Sequence, residues 1–301
     1  MALEVAVVGA SGKIASQLVQ LLIAAGAKVR VIGRTRERLA PLIEKGARPY
    51  VGGLTDMGIL EQLFKGCSAA YVMLPTDHTS NHLRQWQERI GITVAETLAD
   101  SRVHHVVNMS SLGVHLATPR GPLAGLKEQE ERLNKNAGMN VMHLRPAIFF
   151  ENLLAEVGNI KKDHQIVGVV DANLSFPQVS ARDVAAAACD ALLGQNFRGS
   201  SVRELLGPRE ISMTEAAKLL GAACGFPVAY HQITLDDLGN NLESRGVSSD
   251  VSRSMQELYT AVNAGELVGA NGRNADNTNG TTFEQFASDF AVQYVKPARA
   301  A

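Results

Sequence analysis

The sequence predicts an α/β fold, a doubly wound parallel sheet followed by a smaller α/β lobe. Three observations carry this reading. Short apolar, β-branched runs alternate with segments of helical spacing through the first half of the chain. The stretch VAVVGASGKIASQLVQLLIAAG, from Val5 to Gly26, joins a buried strand to a helix through a glycine turn. After about Asn152 the alternation loosens. Strands that alternate with helices imply parallel pairing with helices on both faces. Ligands of such sheets bind at the carboxyl ends of the strands, beside the reversal in strand order.

The strands read in order as EVAVVGA, AKVRVIG, ARPYVGG, SAAYVMLP, VHHVVNMSS and NVMHLRPA, with His104 and His105 at the entry to the fifth. Between them, Ile14, Leu18 and Leu22 share one helix face, Leu39, Leu42 and Ile43 a second, and Leu60, Leu63 and Phe64 a third. Further on, SARDVAAAACDALL is an Ala-rich buried helix. ISMTEAAKLLGAACG carries the capping box Ser212–Glu215 and ends at Gly225, and VAYHQI reads as a strand. Residues 263–280, NAGELVGANGRNADNTNG, are dense in Gly and Asn without evident apolar anchors, so an exposed loop, mobile in the free protein, is expected. TTFEQFASDFAVQY restores a helix, with a capping box at Thr281 and Glu284. Residues 1–151 are thus expected to form a nucleotide-binding domain. Residues 152–301 would form a smaller lobe, interleaved with the first, that supplies one wall of a cleft for a substrate or partner.

At 301 residues, 46% of them hydrophobic, the chain can bury a large core, and its net charge of −1 argues against a nucleic-acid surface. The basic cluster of Arg30, Arg34, Arg36 and Arg38 is too local for such a role. Cys67, Cys189 and Cys224 form no CxxC pair and read as buried thiols, and the eight histidines show no metal-binding spacing. Glu4 interrupts the apolar start, which does not read as a signal peptide, and no stretch approaches about 18 uninterrupted apolar residues. A cytoplasmic protein without a membrane span or a metal is the expectation.

In Gly9-Ala10-Ser11-Gly12-Lys13-Ile14-Ala15, Gly9 permits a tight turn and Gly12 the close approach of a pyrophosphate. Amide groups at the start of the following helix would face the phosphates. Ala15 stands where the usual fingerprint has a third glycine. That position serves helix–strand packing, so alanine is the mildest replacement. Cofactor identity is read at the end of the second strand, where NAD sites place an acidic residue on the ribose 2′-hydroxyl. Here Gly33-Arg34-Thr35-Arg36 occupies that place, with no carboxylate before Glu37. Guanidinium groups of Arg34 and Arg36 can clamp a 2′-phosphate, and arginine at a helix start calls for an anion, so NADP(H) is expected.

These residues, with GGLTDMGILEQLFKGCSAAYVMLP, VVNMSS, GLKEQEERL and LRPAIFFENLL downstream, resemble the NmrA-like branch of the atypical short-chain dehydrogenases. The likeness runs over nearly the whole chain, and RPxxFxENLL is its most specific element. It implies a Rossmann fold and relatives that are NADPH-dependent quinone, azo-dye and triphenylmethane reductases, or non-catalytic NADP(H) sensors that regulate other proteins. By the same resemblance, Ser11, Gly12, Lys13 and Ile14 line the pyrophosphate and Arg34 the 2′-phosphate. Met73, Leu74 and Pro75 run along the nicotinamide ribose side, Lys127 contacts that ribose, and Pro146 and Phe149 bound the nicotinamide pocket. Gly53 departs from the acidic residue of a GDLTD element, so adenine contacts are expected from backbone near Leu54.

Ordinary short-chain dehydrogenases protonate a carbonyl with the tyrosine of a Tyr-x-x-x-Lys motif, its pKa lowered by the lysine. Four residues before Lys127 stands Leu123. Ketone reduction and sugar-nucleotide epimerisation are therefore disfavoured. Acceptors that need little acid, such as a quinone or a triarylmethane cation, remain open, and the expected acceptor is an electrophile such as a quinone, an azo or triarylmethane dye, or an imine. Lys127 and Ser111 are the candidate catalytic residues, with His78, His82 and His115 in loops near strand ends as candidate proton donors. Two functions stand open, an NADPH-dependent reductase of such an electrophile and a non-catalytic NADP(H)-sensing regulator with a protein partner. A homodimer is compatible with either.

Overall fold

The computed structural model describes residues 3–295. Its strands are β1 (Glu4–Val7), β2 (Lys28–Gly33), β3 (Arg48–Val51), β4 (Ala69–Met73), β5 (His105–Met109), β6 (Asn140–Pro146), β7 (Ile148–Phe149), β8 (Gln165–Gly168), β9 (Gln178–Val179), β10 (Ser200–Leu205) and β11 (Ala229–Gln232). The helices are α1 (Lys13–Ala24), α2 (Arg36–Ile43), α3 (Met57–Phe64), α4 (Leu83–Ser101), α5 (Leu123–Asn134), α6 (Val157–Asp163), α7 (Ala181–Gly194), α8 (Met213–Cys224), α9 (Leu235–Ser244), α10 (Ser249–Asn263) and α11 (Phe283–Phe290). A 3-10 helix, Phe150–Glu156, follows β7, and a π-helical turn, Ala291–Val295, follows α11.

Seven strands form one parallel sheet in the order β10-β6-β5-β4-β1-β2-β3, so strand order reverses between β1 and β4. Both faces are covered. Val5 and Val7 of β1 point into a core built with Leu18 and Leu22 of α1 and Ala185, Ala188 and Leu192 of α7. Ala6 and Val8 point the other way, towards Leu60 and Leu63 of α3 and Ile90, Val94 and Leu98 of α4. This two-sided burial is why the strands read as near-continuous apolar runs. Ala15, 4% exposed, lies in the first of these cores, the environment foreseen for the residue replacing the third glycine.

Residues beyond 151 divide between two layers. Helix α7 and strand β10 complete the main sheet and its cover. The 3-10 helix, α6, α8, α10 and α11 enclose a third core around Phe150, Ile160, Leu220, Phe283 and Phe286. Two small parallel ribbons, β7 with β9 and β8 with β11, stand apart from the main sheet. Among the described residues, no helix is long and apolar enough to cross a membrane. The three cysteines are all buried.

Four expectations are corrected here. Arg30 does not belong to a surface cluster. It is 8% exposed, pairs with Glu4 at 2.7 Å and donates to the Gln62, Leu63 and Lys65 carbonyls at the end of α3. The α8 box is half formed: Ser212 accepts from the Glu215 amide, but the Glu215 carboxylate turns to Arg209 at 2.8 Å. The α11 box lies one residue later, at Thr282 and Gln285, because Thr281 is engaged by Asp183 through its amide and hydroxyl. The 263–280 loop has anchors: Leu267 is buried in the third core, and the Leu206 and Asn279 amides bond to Asn277 and Leu206 carbonyls, both at 2.8 Å.

Candidate active site at the carboxyl ends of the strands

The chain leaves β1 through Gly9, whose φ of +69° is the left-handed conformation that favours glycine. A Cβ there would stand 2.8 Å from the Met73 sulfur, so the end of β4 lies directly on the turn. The Gly12 amide closes the turn on the Gly9 carbonyl at 2.9 Å, and Gly12 caps α1 without a side-chain bond. The first turn of α1 carries no acidic residue, so none of its own side chains offsets the positive end of the helix. Ser11, Gly12 and Lys13 are exposed and Ile14 is half-buried. These features fit a pyrophosphate. Lys13 reaches sideways, its Nζ donating to the Glu151 carbonyl at 3.2 Å. A groove of about 630 Å³ opens on that side between Glu151, Ser180, Arg182 and Phe290; it includes neither Arg34 nor Lys127.

At the end of β2, Arg34 and Arg36 are exposed and make no hydrogen bond or ion pair to other described residues. Thr35 caps α2, which makes Arg36 its first helical residue. Both guanidinium groups are thus exposed at a helix start, where a 2′-phosphate would be matched by charge. One signal absent from the sequence pattern is Asp77, after β4. Its carboxyl is held below the usual range by the Thr79 hydroxyl and amide, with the Arg34 charge adding to the effect. Leu54 is half-buried beside Gly53, where a Cβ would meet only Thr55 at 3.9 Å; no crowding excludes a side chain there.

Towards the other end, β4, β5 and β6 are neighbours, so Met73–Pro75, the loop 110–122 and Pro146–Phe149 emerge side by side. Met73, Pro75 and Phe149 are half-buried. Leu74 and Pro146 are buried. Ser111 donates its hydroxyl to the Leu112 carbonyl at 3.0 Å. Lys127, in the second turn of α5, donates to the Leu116 carbonyl at 3.3 Å. Leu123 is 2% exposed and belongs to the third core, so no polar group replaces the missing phenol at that position. The three loop histidines part company: His78 and His82 are exposed, with His82 at the start of α4, while His115 is half-buried.

The loop after β5 is held from both sides. Its Leu112 amide bonds to the Pro146 carbonyl at 2.9 Å, and its Gly121 amide to Glu257 of α10 at 3.0 Å. Beneath it, Glu130 of α5 and Arg145 of β6 form a two-point ion pair at 2.9 and 2.5 Å, with side chains 6% and 15% exposed. Burial pushes the Glu130 carboxyl up, but the Arg145 guanidinium and the neighbouring Ser110 hydroxyl outweigh it and hold the group below the usual range. His143 is fully buried between Asn108 and Asn134, and burial lowers its pKa. Across the β6–β10 register, Arg145 faces Glu204, whose carboxylate accepts the Ala270 amide at 2.9 Å. This polar layer links α5, the sheet and the 263–280 loop. Sequence periodicity carries no sign of it, because its members lie on four elements.

The comparisons agree with this architecture. A family model described as "NmrA-like family" matches residues 1–287. The chain is 27% identical over 299 residues to the NAD(P)H azoreductase of Xenophilus azovorans, with 96% of this chain and 98% of that protein covered. Among solved structures it is similar to the NADPH-dependent quinone oxidoreductase of Escherichia coli complexed with NADPH, at a TM-score of 0.79 and 19% identity over 95% of this chain and 99% of that one. The Citrobacter sp. triphenylmethane reductase complexed with NADP(H) gives a TM-score of 0.77 and 18% identity, with the same coverage. At those identities the two structures speak for the fold.

Proposed function

The chain belongs to the NmrA-like family, and from that premise we propose that it is an NADPH-dependent reductase of an electrophilic acceptor such as a quinone, an azo or triarylmethane dye, or an imine. Bound at the strand ends, the reduced cofactor supplies a hydride from its nicotinamide ring. Arg34 and Arg36 hold the 2′-phosphate, and the amides of the Gly9–Ile14 turn hold the pyrophosphate. Met73–Pro75 and Pro146–Phe149 flank the nicotinamide end, and Lys127 positions it. Positioning of this kind is a large part of catalysis, because misplaced reacting atoms forfeit the advantage of orientation.

The observation that carries the choice of acceptor is Leu123, buried where a short-chain dehydrogenase would offer its phenol. Without that acid, turnover depends on the acceptor's own affinity for hydride. A quinone yields a delocalised phenolate that water can protonate, and a triarylmethane cation needs no proton at all. The full-length likeness to an azoreductase supports the same class.

The test is NADPH oxidation by the purified protein against a panel of quinones, azo dyes, triarylmethane cations, imines and plain ketones. The electrophiles should react and unactivated aliphatic ketones should hardly react. Brisk reduction of a plain ketone would overturn the acceptor class. Tight NADPH binding with no oxidation by any acceptor would favour the second reading, an NADP(H)-sensing regulator that binds a partner protein, which the missing phenol also fits.

A further inference from the structure

We propose that the Lys13 side chain is a strut between the glycine turn and the nicotinamide-flanking segment, not a ligand of the pyrophosphate. The inference rests on the reductase reading above. Lys13 is the first residue of α1, where a cation meets the positive end of the helix and is disfavoured unless something compensates it. A phosphate is one such compensation. The structure provides another: the Lys13 Nζ donates to the Glu151 carbonyl at 3.2 Å, across 138 residues of sequence. Lys13 lines the groove shared with Glu151, Ser180 and Arg182, which includes none of Gly9, Arg34, Met73 and Lys127. The ammonium is thus engaged on the groove side of the turn.

What Lys13 holds is itself held. Glu151 belongs to the 3-10 helix that directly follows β7, and so lies just beyond Phe149. Its carboxylate accepts from the Ser180 hydroxyl at 3.0 Å and the Ala181 amide at 2.8 Å, which ties it to the start of α7. Phe150, 1% exposed, packs its ring against Phe283 and Phe286, with centroids 5.1 and 5.6 Å away. Phe149 pairs with Val179 of β9. Residues 148–151 are thus a firm abutment, and Lys13 connects it to the turn that leaves β1.

A cofactor held by the turn amides at its pyrophosphate and flanked by Phe149 at its nicotinamide spans the same two points. The Lys13–Glu151 contact sets their separation, and with it the place of the ring that gives up hydride. Lys13 is a positioning residue in this role, acting on the reacting atoms through Glu151 and Phe149. Removing its ammonium should misplace the nicotinamide more than it weakens the cofactor, because orientation is lost while the turn amides still hold the phosphates.

The experiment compares Lys13→Met, which keeps an unbranched side chain and removes the donor, with Lys13→Arg, which restores one. In Lys13→Met the NADPH dissociation constant, from the fluorescence of the bound nicotinamide, should stay within about threefold of the unmodified protein, with an unchanged dependence on salt. Turnover of a quinone at saturating NADPH should fall roughly 10-fold, and Lys13→Arg should recover most of the loss. In the cofactor-free protein, amides of residues 148–152 should exchange about fivefold faster in Lys13→Met, the loss of one ordinary hydrogen bond, and slow again in Lys13→Arg. An affinity loss of roughly 10-fold or more with a flattened salt dependence would put the ammonium on the pyrophosphate and overturn the proposal. Unchanged exchange or unchanged turnover in Lys13→Met would overturn it as well. If the unmodified protein binds NADPH but reduces no acceptor, the reductase reading fails, and the exchange and affinity measurements still decide the strut.

Discussion

Arg30 and Arg34 stand four residues apart on one strand and its end, yet their chemistry has nothing in common. Arg30 is enclosed by three carbonyls at the end of α3 and the Glu4 carboxylate, a structural cap for a helix terminus. Arg34 is exposed and without a hydrogen-bonding partner among the described residues. Charge-assisted bonds from Arg34 to a 2′-phosphate are worth about 1.5–3 kcal/mol each, or roughly 10- to 150-fold in affinity. Arg34→Asp should therefore erase or invert a preference for NADPH over NADH in a fluorescence titration, and equal affinities in the unmodified protein would refute the assignment. Glu130 makes the second prediction at this scale. Its folded pKa is depressed, so the stability it contributes is present above its unfolded value, near 4.3, and is lost as pH falls through the folded value. Glu130→Gln leaves Arg145 without its two-point partner and should cost about 3–5 kcal/mol in urea unfolding at neutral pH. The difference from the unmodified protein should shrink in acid; a constant difference at every pH would mean that charge is not the cause.

Helix α10 shows how an element of the second lobe shapes the crevice of the first. The Ser248 amide before it bonds to the His78 carbonyl at 2.9 Å, Asp250 accepts the Leu83 amide, and Glu257 accepts the Gly121 amide. The loops after β4 and β5 are thus both docked on one helix. Gly121 has φ +55°, and a Cβ there would stand 2.1 Å from the Ser254 carbonyl oxygen. Gly121→Ala should push the loop off α10 and cost roughly 1–3 kcal/mol from backbone strain alone, measured by chemical denaturation, with faster proteolysis of the 112–122 loop. Unchanged stability would show that the contact yields without cost. The 263–280 loop gives the companion test. Its Asn residues read as solvated, but Asn277 is 6% exposed and Asn279 bonds to Leu206, so amides of Leu206, Gly207 and Asn279 should exchange slowly in the free protein. Uniformly fast exchange would restore a mobile loop. Periodicity made the six principal strands and the first three helices legible, because each carries its own apolar stripe. Strand β10, SSVREL, and helices α4, α9 and α10 escaped that reading: their polar residues are accommodated by partners distant in sequence, such as Glu204 opposite Arg145. The glycine turn after β1 was legible for the same reason, since glycine chemistry is local, whereas the buried nitrogen of His115 depends on neighbours that spacing does not disclose.

At the scale of the molecule, the two halves of the chain share one main sheet. Strand β10 pairs with β6 along the full run Val141–Pro146, and α7 lays Val184, Ala185, Ala188 and Leu192 over the core that β1 and α1 begin. The small side chains of α7 let it lie close to α1. Its N-terminus is tied back by Glu151, whose carboxylate accepts from the Ser180 hydroxyl at 3.0 Å and the Ala181 amide at 2.8 Å. The Glu151 carbonyl meanwhile receives Lys13 from the glycine turn after β1, so the turn, the RPxxFxENLL segment and α7 meet at one residue. A chain cut after residue 151 would lose the seventh strand, the helix that covers one face of the sheet, and the partners of that carboxylate. The hydrophobic surface left bare would be that of Val5, Val7, Leu18 and Leu22, each fully buried in the whole protein. Residues 1–151 alone should therefore fail to reach the native sheet: they should bind a hydrophobic dye, show no cooperative thermal transition and have no measurable affinity for NADPH. The whole chain should unfold in a single transition that NADPH, at about 100 times its dissociation constant, stabilises by roughly 2.7 kcal/mol. A fragment 1–151 that folds cooperatively and binds NADPH would show instead that the first six strands are sufficient and that α7 and β10 are additions to a sheet already complete.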